Sequence, residues 1–278
     1  MKNKLPLTPF ITICLLLVSI SSQVIAGLVL NPQRIVLEER ERSASLDLLN
    51  TSNETGRYQI YFEHKIMKAD GSIVTIENPE EGGPYAGDMI RYSPRRVDIP
   101  ANKSQTIRLA VRRPKNLPDG EYLSHLVLKQ IPNIIPSNIE ADSDNPTEKK
   151  LSLSVQPILK LAIPVIVRKG KLSTSADITE ITPIKKDGLV EDLHFTLHRK
   201  GGFSLYGDVA LFEQKNENDL GKRLGFIRGI ALYDPTPKRL VKLHLDKPQD
   251  LSGKTLLLRF EENEKYGGKN KVEKTLTF

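Results

Sequence analysis

Apolar and polar residues alternate with a period of two along most of this chain, and the 3.6-residue period of an amphipathic helix is scarce. SASLDLLN (43–50), RYQIYFEH (57–64), SIVTI (72–76), SQTIRLAVR (104–112) and YLSHLVLKQI (122–131) read as strands separated by turn clusters such as KADGS and PKNLPDGE. A second set follows Arg168-Lys169-Gly170: LHFTLHR (193–199), SLYGDVALFE (204–213), FIRGIALY (226–233), RLVKLHL (239–245), TLLLRF (255–260) and KVEKTLTF (271–278), with KNENDLGK among the breaks. Short strands at regular spacing predict β-sandwiches. The expected organisation is a first sandwich over 27–169 and a second over 170–278.

One stretch stands apart. KKLSLSVQPILKLAIPVIVRKG (149–170) reads as a single long strand, with Leu151, Leu153 and Val155 on one face and Ser152, Ser154 and Gln156 on the other. Eighteen such residues would extend about 60 Å at roughly 3.3 Å each, well beyond an ordinary strand. Periodicity alone favours an internal strand whose stripe fills its own sandwich. The alternative is an edge that accepts another chain's backbone, a hazard proteins normally blunt with charge, proline or cover. The preceding segment, 131–150, is polar and interrupted by proline, and is expected to be mobile.

The N-terminus changes the setting. Lys2 and Lys4, the apolar run Phe10–Ile20 and Val24-Ile25-Ala26 make residues 1–26 a secretory signal peptide, with a mature start at Gly27. The only cysteine, Cys14, leaves with it, so the exported chain must be held by core packing without disulfides. This composition predicts a periplasmic protein with no membrane insertion. The formal charge of +7 arises from 41 Lys and Arg against 34 Asp and Glu, interleaved and without stacking aromatics, which argues against nucleic acid.

Candidate chemistry is sparse. His194 and His198 alternate with Leu193, Phe195 and Leu197, which places them on a strand's outer face without further metal ligands. His64, His125 and His244 sit in other strand-like runs. No G-x-S-x-G elbow or phosphate-loop lysine occurs. No enzyme activity, cofactor or metal is expected.

Several segments, taken as an ordered set, resemble the N-terminal domain of the PapD-like periplasmic chaperones of the chaperone–usher pilus pathway. They are NPQRIVL with Arg34, RYSPRRVDIPANKSQTIRL with Arg108, LPDGEYLSHLVLKQIP with Glu121, and KKLSLSVQPILKLAIPVIVR with Lys160. The similarity covers most of residues 28–168 and thins further on to strand pattern and a KYGGK turn.

The resemblance implies two immunoglobulin-like sandwiches in an L-shaped arrangement, and a chaperone that binds pilus or fimbrial subunits and delivers them to an outer-membrane usher. Binding in this family is by strand addition. Leu151, Leu153 and Val155 would fill the subunit's open groove. Arg34 and Lys160 would hold its C-terminal carboxylate, and Arg108 and Glu121 would serve the interdomain structure. A self-capping homodimer is a further partner that an exposed edge favours. Departures accompany the likeness, among them the absence of the cysteine pairs that some members carry. Pro164 stands where the family often has an interdomain arginine, leaving Glu121 to find another base, and Pro157 removes a backbone donor within the donor strand. The competing reading is a structural or adhesive two-domain surface protein, which would carry an extended N-terminal donor segment; here a strand-like LVLNPQRIVL comes first.

Overall fold

The computed structural model describes residues 27–80, 83–132, 157–216 and 219–278. Eighteen strands are present among them. The first eleven are β1 (Leu28–Asn31), β2 (Ile35–Leu37), β3 (Ser43–Asn50), β4 (Gly56–Glu63), β5 (Lys65–Met67), β6 (Ile73–Thr75), β7 (Ile90–Ser93), β8 (Arg96–Ile99), β9 (Ser104–Val111), β10 (Gly120–Gln130) and β11 (Lys160–Lys169). The other seven are β12 (Thr174–Lys186), β13 (Leu189–Gly201), β14 (Leu205–Asn216), β15 (Asp219–Leu232), β16 (Lys238–Gln249), β17 (Thr255–Glu262) and β18 (Lys271–Thr277). The protein is a pair of β-sandwiches, and no helix among the described residues is long and apolar enough to cross a membrane.

In the first sandwich a four-stranded sheet, ordered β1-β3-β9-β7, faces a five-stranded sheet ordered β2-β11-β10-β4-β8. The two-residue period dictates which side chains lie between them. Leu46 and Leu48 of β3, Ile107 and Leu109 of β9, and Leu126 and Leu128 of β10 are buried in a common core, while the intervening Asp47 and Arg108 point outward. Short β5 and β6 form a separate hairpin.

The second sandwich is built from β12-β13-β16 and β15-β14-β17-β18, joined where Gly225 pairs with Leu245. Phe195 and Phe260 are fully buried at its centre. Its core also takes in Met67, Leu123 and Ile166 from the first strand set. Between the two sets the chain turns at Gly170, whose φ of +77° is left-handed and whose hydrogen stands where a Cβ would overlap the Asp119 side chain.

Several strands run longer than the alternation predicts, and one long strand lies outside the predicted runs. KNENDLGK reads as a break, yet β14 runs to Asn216 and β15 begins at Asp219, so the hairpin continues almost to its tip. The unanticipated strand, β12, forms an edge of its sheet. Glu180, at φ +54°, sits in a register shift between Thr179 and Thr182 that breaks the alternation a reader would look for.

Candidate functional site

The outer face of the five-stranded sheet carries the candidate residues. On β11 the even positions Lys160, Ala162, Pro164, Ile166 and Arg168 point away from the core that holds Ile163, Val165 and Val167. Antiparallel pairing sets His125 of β10 opposite both Pro164 of β11 and Glu63 of β4, and Lys129 opposite Lys160. On the other side of β11, β2 runs parallel with Ile35 beside Val165, and Arg34 immediately precedes it. A row of residues therefore crosses the sheet: Arg34, Pro164, His125, Glu63.

Arg34 lies in the connection between β1 and β2, where the chain passes from one sheet to the other. Its residue is only 3% exposed. The guanidinium stacks 4.1 Å from the centre of the Tyr206 ring and 5.0 Å from that of Tyr233, and Nη2 donates to the Tyr233 hydroxyl at 2.9 Å. Nε has no hydrogen-bond partner, and no described carboxylate forms an ion pair with Arg34. Burying a cation without an anion is costly, so this arrangement is predisposed to receive one. A cavity of about 160 Å³ opens beside Arg34 and is also lined by Pro32, Ser45, Lys265 and Tyr266.

Lys160 occupies a different environment. Its side chain is 45% exposed, and Nζ donates to Glu63 Oε1 at 2.6 Å, while Lys65 Nζ lies 2.6 Å from Oε2 of the same carboxylate. Burial works to raise the Glu63 carboxyl, but hydrogen bonds and charge from Lys160 and Lys65 outweigh it and hold the group at about 2. The bond to Glu63 raises Lys160 in turn. Two ammonium groups on one carboxylate leave a net positive charge at this end of the row.

His125 was not singled out by its sequence setting. Its residue is 3% exposed and neither ring nitrogen has a partner. The imidazole meets the Tyr233 ring edge-on, with centres 6.1 Å apart. Desolvation, followed by the charges of Lys65 and Arg34, pushes it down to about 4 against a smaller upward pull from Glu63.

Glu121 joins the two strand sets. Its carboxylate accepts from Arg168 Nε at 3.0 Å and from the Ser204 backbone N–H at 3.1 Å, and also takes the Ser204 hydroxyl. Arg168 Nη1 also donates to Glu38 at 2.9 Å and to the Tyr266 carbonyl at 3.1 Å. Ser204 Oγ accepts from the Asp234 N–H, and Asp234 holds Arg199 at 2.6 Å. Arg108, by contrast, is exposed on β9 between Ser45 and Ser93, and no described bond carries it to the second set. Leu151, Leu153 and Val155 lie outside the described residues.

Tyr206, Tyr233, Ser204 and Arg168 were missed as site residues because their partners are far away in sequence. The one visible hint was parity: Glu63, His125 and Lys160 all fall on outward positions of adjacent strands. Of the other histidines, His64 bonds to Ser124, His198 to Thr179 and His244 to Asp192. Among the described residues no group of three or more His, Cys, Asp or Glu could hold a metal ion.

No family model matches the chain, and no curated protein matches it. Among solved structures it is similar to the YadV chaperone, at 14% identity over 90% of this chain and 100% of that one, with a TM-score of 0.46. The Pseudomonas aeruginosa CupB2 chaperone is similar at 14% identity over 89% of this chain and 100% of that one, with a TM-score of 0.47. A chain of the CsuC–CsuE chaperone–tip adhesion subunit pre-assembly complex of Acinetobacter baumannii is similar at 14% identity, over 91% and 99%, with a TM-score of 0.45. At these identities and scores the likeness decides nothing about function, which has to rest on the residues themselves.

Proposed function

We propose that this protein is a periplasmic chaperone that binds pilus or fimbrial subunits by lending them a β-strand and passes them to an outer-membrane usher. In this reading residues 27–169 and 170–278 act as two domains that flank a cleft, and residues 1–26 direct export. The observation that carries it is the half-open edge of β11. β2 pairs only with Val165–Val167, so among the described residues Lys160–Pro164 has β10 on one side and no strand on the other. In sequence, three residues outside any strand (157–159) separate that edge from the alternating Leu151, Leu153 and Val155, which lie outside the described residues.

Strand addition requires an unpaired row of backbone N–H and C=O groups, together with side chains that can enter a partner's groove at every second position. Three medium apolar side chains would contribute roughly 5–9 kcal/mol before association costs, enough to hold a subunit while still allowing exchange. The client's terminal carboxylate would be received at the positive row. Lys160 is partly exposed and donates to Glu63, and Arg34 is buried without a counter-ion.

The test is co-purification from periplasm with tagged wild type, Lys160→Ala and Arg34→Ala. Wild type should bring down a small β-rich partner that both variants lose while remaining folded by circular dichroism. Retention of that partner at full yield in both variants overturns the carboxylate anchor. Self-polymerisation of the mature protein on gel filtration would instead mark it as a structural subunit.

A further inference from the structure

Three polar nitrogens in one neighbourhood are buried without partners: Nε of Arg34 and both ring nitrogens of His125. Both side chains border Tyr233, Arg34 through its hydroxyl and ring face and His125 through its ring edge. Having accepted from Arg34, the Tyr233 hydroxyl still has its own proton to donate. His125 also stands midway in the row, between Arg34 at one end and the Glu63–Lys160 pair at the other. A buried imidazole with no hydrogen bond contributes nothing to the fold that a leucine would not, and it carries a desolvation cost.

We propose that His125 is a third member of the anion-receiving site, and that a carboxylate bound beside Arg34 draws a proton from solvent onto its imidazole. This rests on the carboxylate reading above and extends it, since it makes client binding proton-linked. The charged and titratable groups around the ring are Arg34 from the β1–β2 connection, Glu63 from β4, Lys65 from β5 and Tyr233 from the second sandwich; β11 presents only Pro164. In the empty site Arg34 and Lys65 oppose a further positive charge, and burial opposes it more strongly. An arriving carboxylate cancels the Arg34 charge and offers an acceptor, so the protonated ring becomes favourable. The α-carboxylate, ordinarily near 3.3–3.7, stays ionised throughout the relevant range.

The experiment is an NMR titration of the histidine imidazoles from pH 4 to 8, with and without N-acetylleucine and its amide, N-acetylleucinamide. N-acetylleucine should raise the His125 pKa by about two units and bind roughly tenfold tighter at pH 5 than at pH 7.5; the amide should do neither. His125→Gln should lose that pH dependence, and Arg34→Ala should abolish the effect. If N-acetylleucine shifts the Tyr233 signals but leaves the His125 pKa unchanged, the proton linkage is overturned and the carboxylate reading stands. If saturating N-acetylleucine shifts neither, both fall.

Discussion

Arg34 donates to the Tyr233 hydroxyl at 2.9 Å across 199 residues of sequence, so a cation at the edge of the first sandwich is oriented by a ring of the second. The same guanidinium is stacked on Tyr206, also of the second set. The proposed anion site is therefore composite, with contacts drawn from both strand sets.

Arg34 has aromatic neighbours but no carboxylate, which separates its role in stability from its proposed role in binding. Arg34→Ala removes cation–π contacts worth about 1–2 kcal/mol and at the same time relieves the cost of a desolvated charge. Urea unfolding should therefore place the variant within about 1 kcal/mol of wild type, even as client capture is lost. A much larger loss of stability would mean that Arg34 acts mainly in the fold.

Glu121 should behave in the opposite way. Its carboxylate is almost completely enclosed, and its removal orphans the Arg168 guanidinium and the Ser204 N–H together. Breaking a buried pair from one side costs about 3–5 kcal/mol, although Glu38 and the Tyr266 carbonyl retain part of Arg168. Glu121→Leu is expected to lose about 3 kcal/mol in urea unfolding, and Glu121→Leu with Arg168→Met to regain most of it. No recovery in the double variant would show that Ser204, and not Arg168, is the partner that matters.

These residues also show what could be read from the sequence. Alternation in SQTIRLAVR and LHFTLHR was enough to predict strands and their buried faces, because half-burial in a sandwich imposes a period of two directly on the sequence. It failed at β12, where the bulge at Glu180 resets the period and the only buried side chain of the strand is Ile178. Arg34 and Lys160 are reached through resemblance; in the structure the Lys160 side chain is 45% exposed, whereas Arg34 is buried. Tyr233, Tyr206 and Ser204 reach the site through contacts between the two sandwiches, which no local periodicity encodes. The partner of Glu121, Arg168, lies on the neighbouring strand as its direct cross-strand neighbour, a pairing that required the register of β10 and β11 to be known.

Acid should weaken the free protein in two separate windows. His125 binds its proton near 4 in the folded state against an ordinary 6.5, so the unfolded chain takes up the proton first. Its neutral form supports the fold fully above about pH 6.5, and that support is lost as the pH falls towards 4, by about 3 kcal/mol in all. Glu63, held at about 2 against 4.5, has its contribution intact above 4.5 and loses it only below that value. Stability measured in urea at a series of pH values should therefore fall between 6.5 and 4 in wild type, and His125→Leu should flatten that interval. An unchanged slope in the variant would assign the acid sensitivity elsewhere.

The β5–β6 hairpin belongs in sequence to the first strand set, yet its bonds run to the second. Ala69 O accepts from the Leu240 N–H at 2.7 Å, Met67 O accepts from the Thr236 hydroxyl at 2.6 Å, and the Met67 side chain is buried in the second core. At its turn Gly71 has φ +85°, and the Arg239 guanidinium occupies the space a Cβ would need. Gly71→Ala thus combines about 1–2 kcal/mol of left-handed backbone strain with displacement of Arg239. Since both effects fall on the hairpin, the loss should be local: faster hydrogen exchange at the Leu240 amide, with the amides of Ile107 and Leu109 in the first core unchanged. A hairpin that braces the two sandwiches would also weaken the hold on Arg34 when loosened, so the Tyr233 signals should broaden in the same spectra. Leu240 protection equal to wild type would show that the turn can yield without releasing the second sandwich, and the bracing role would then rest on Met67 and Thr236 alone.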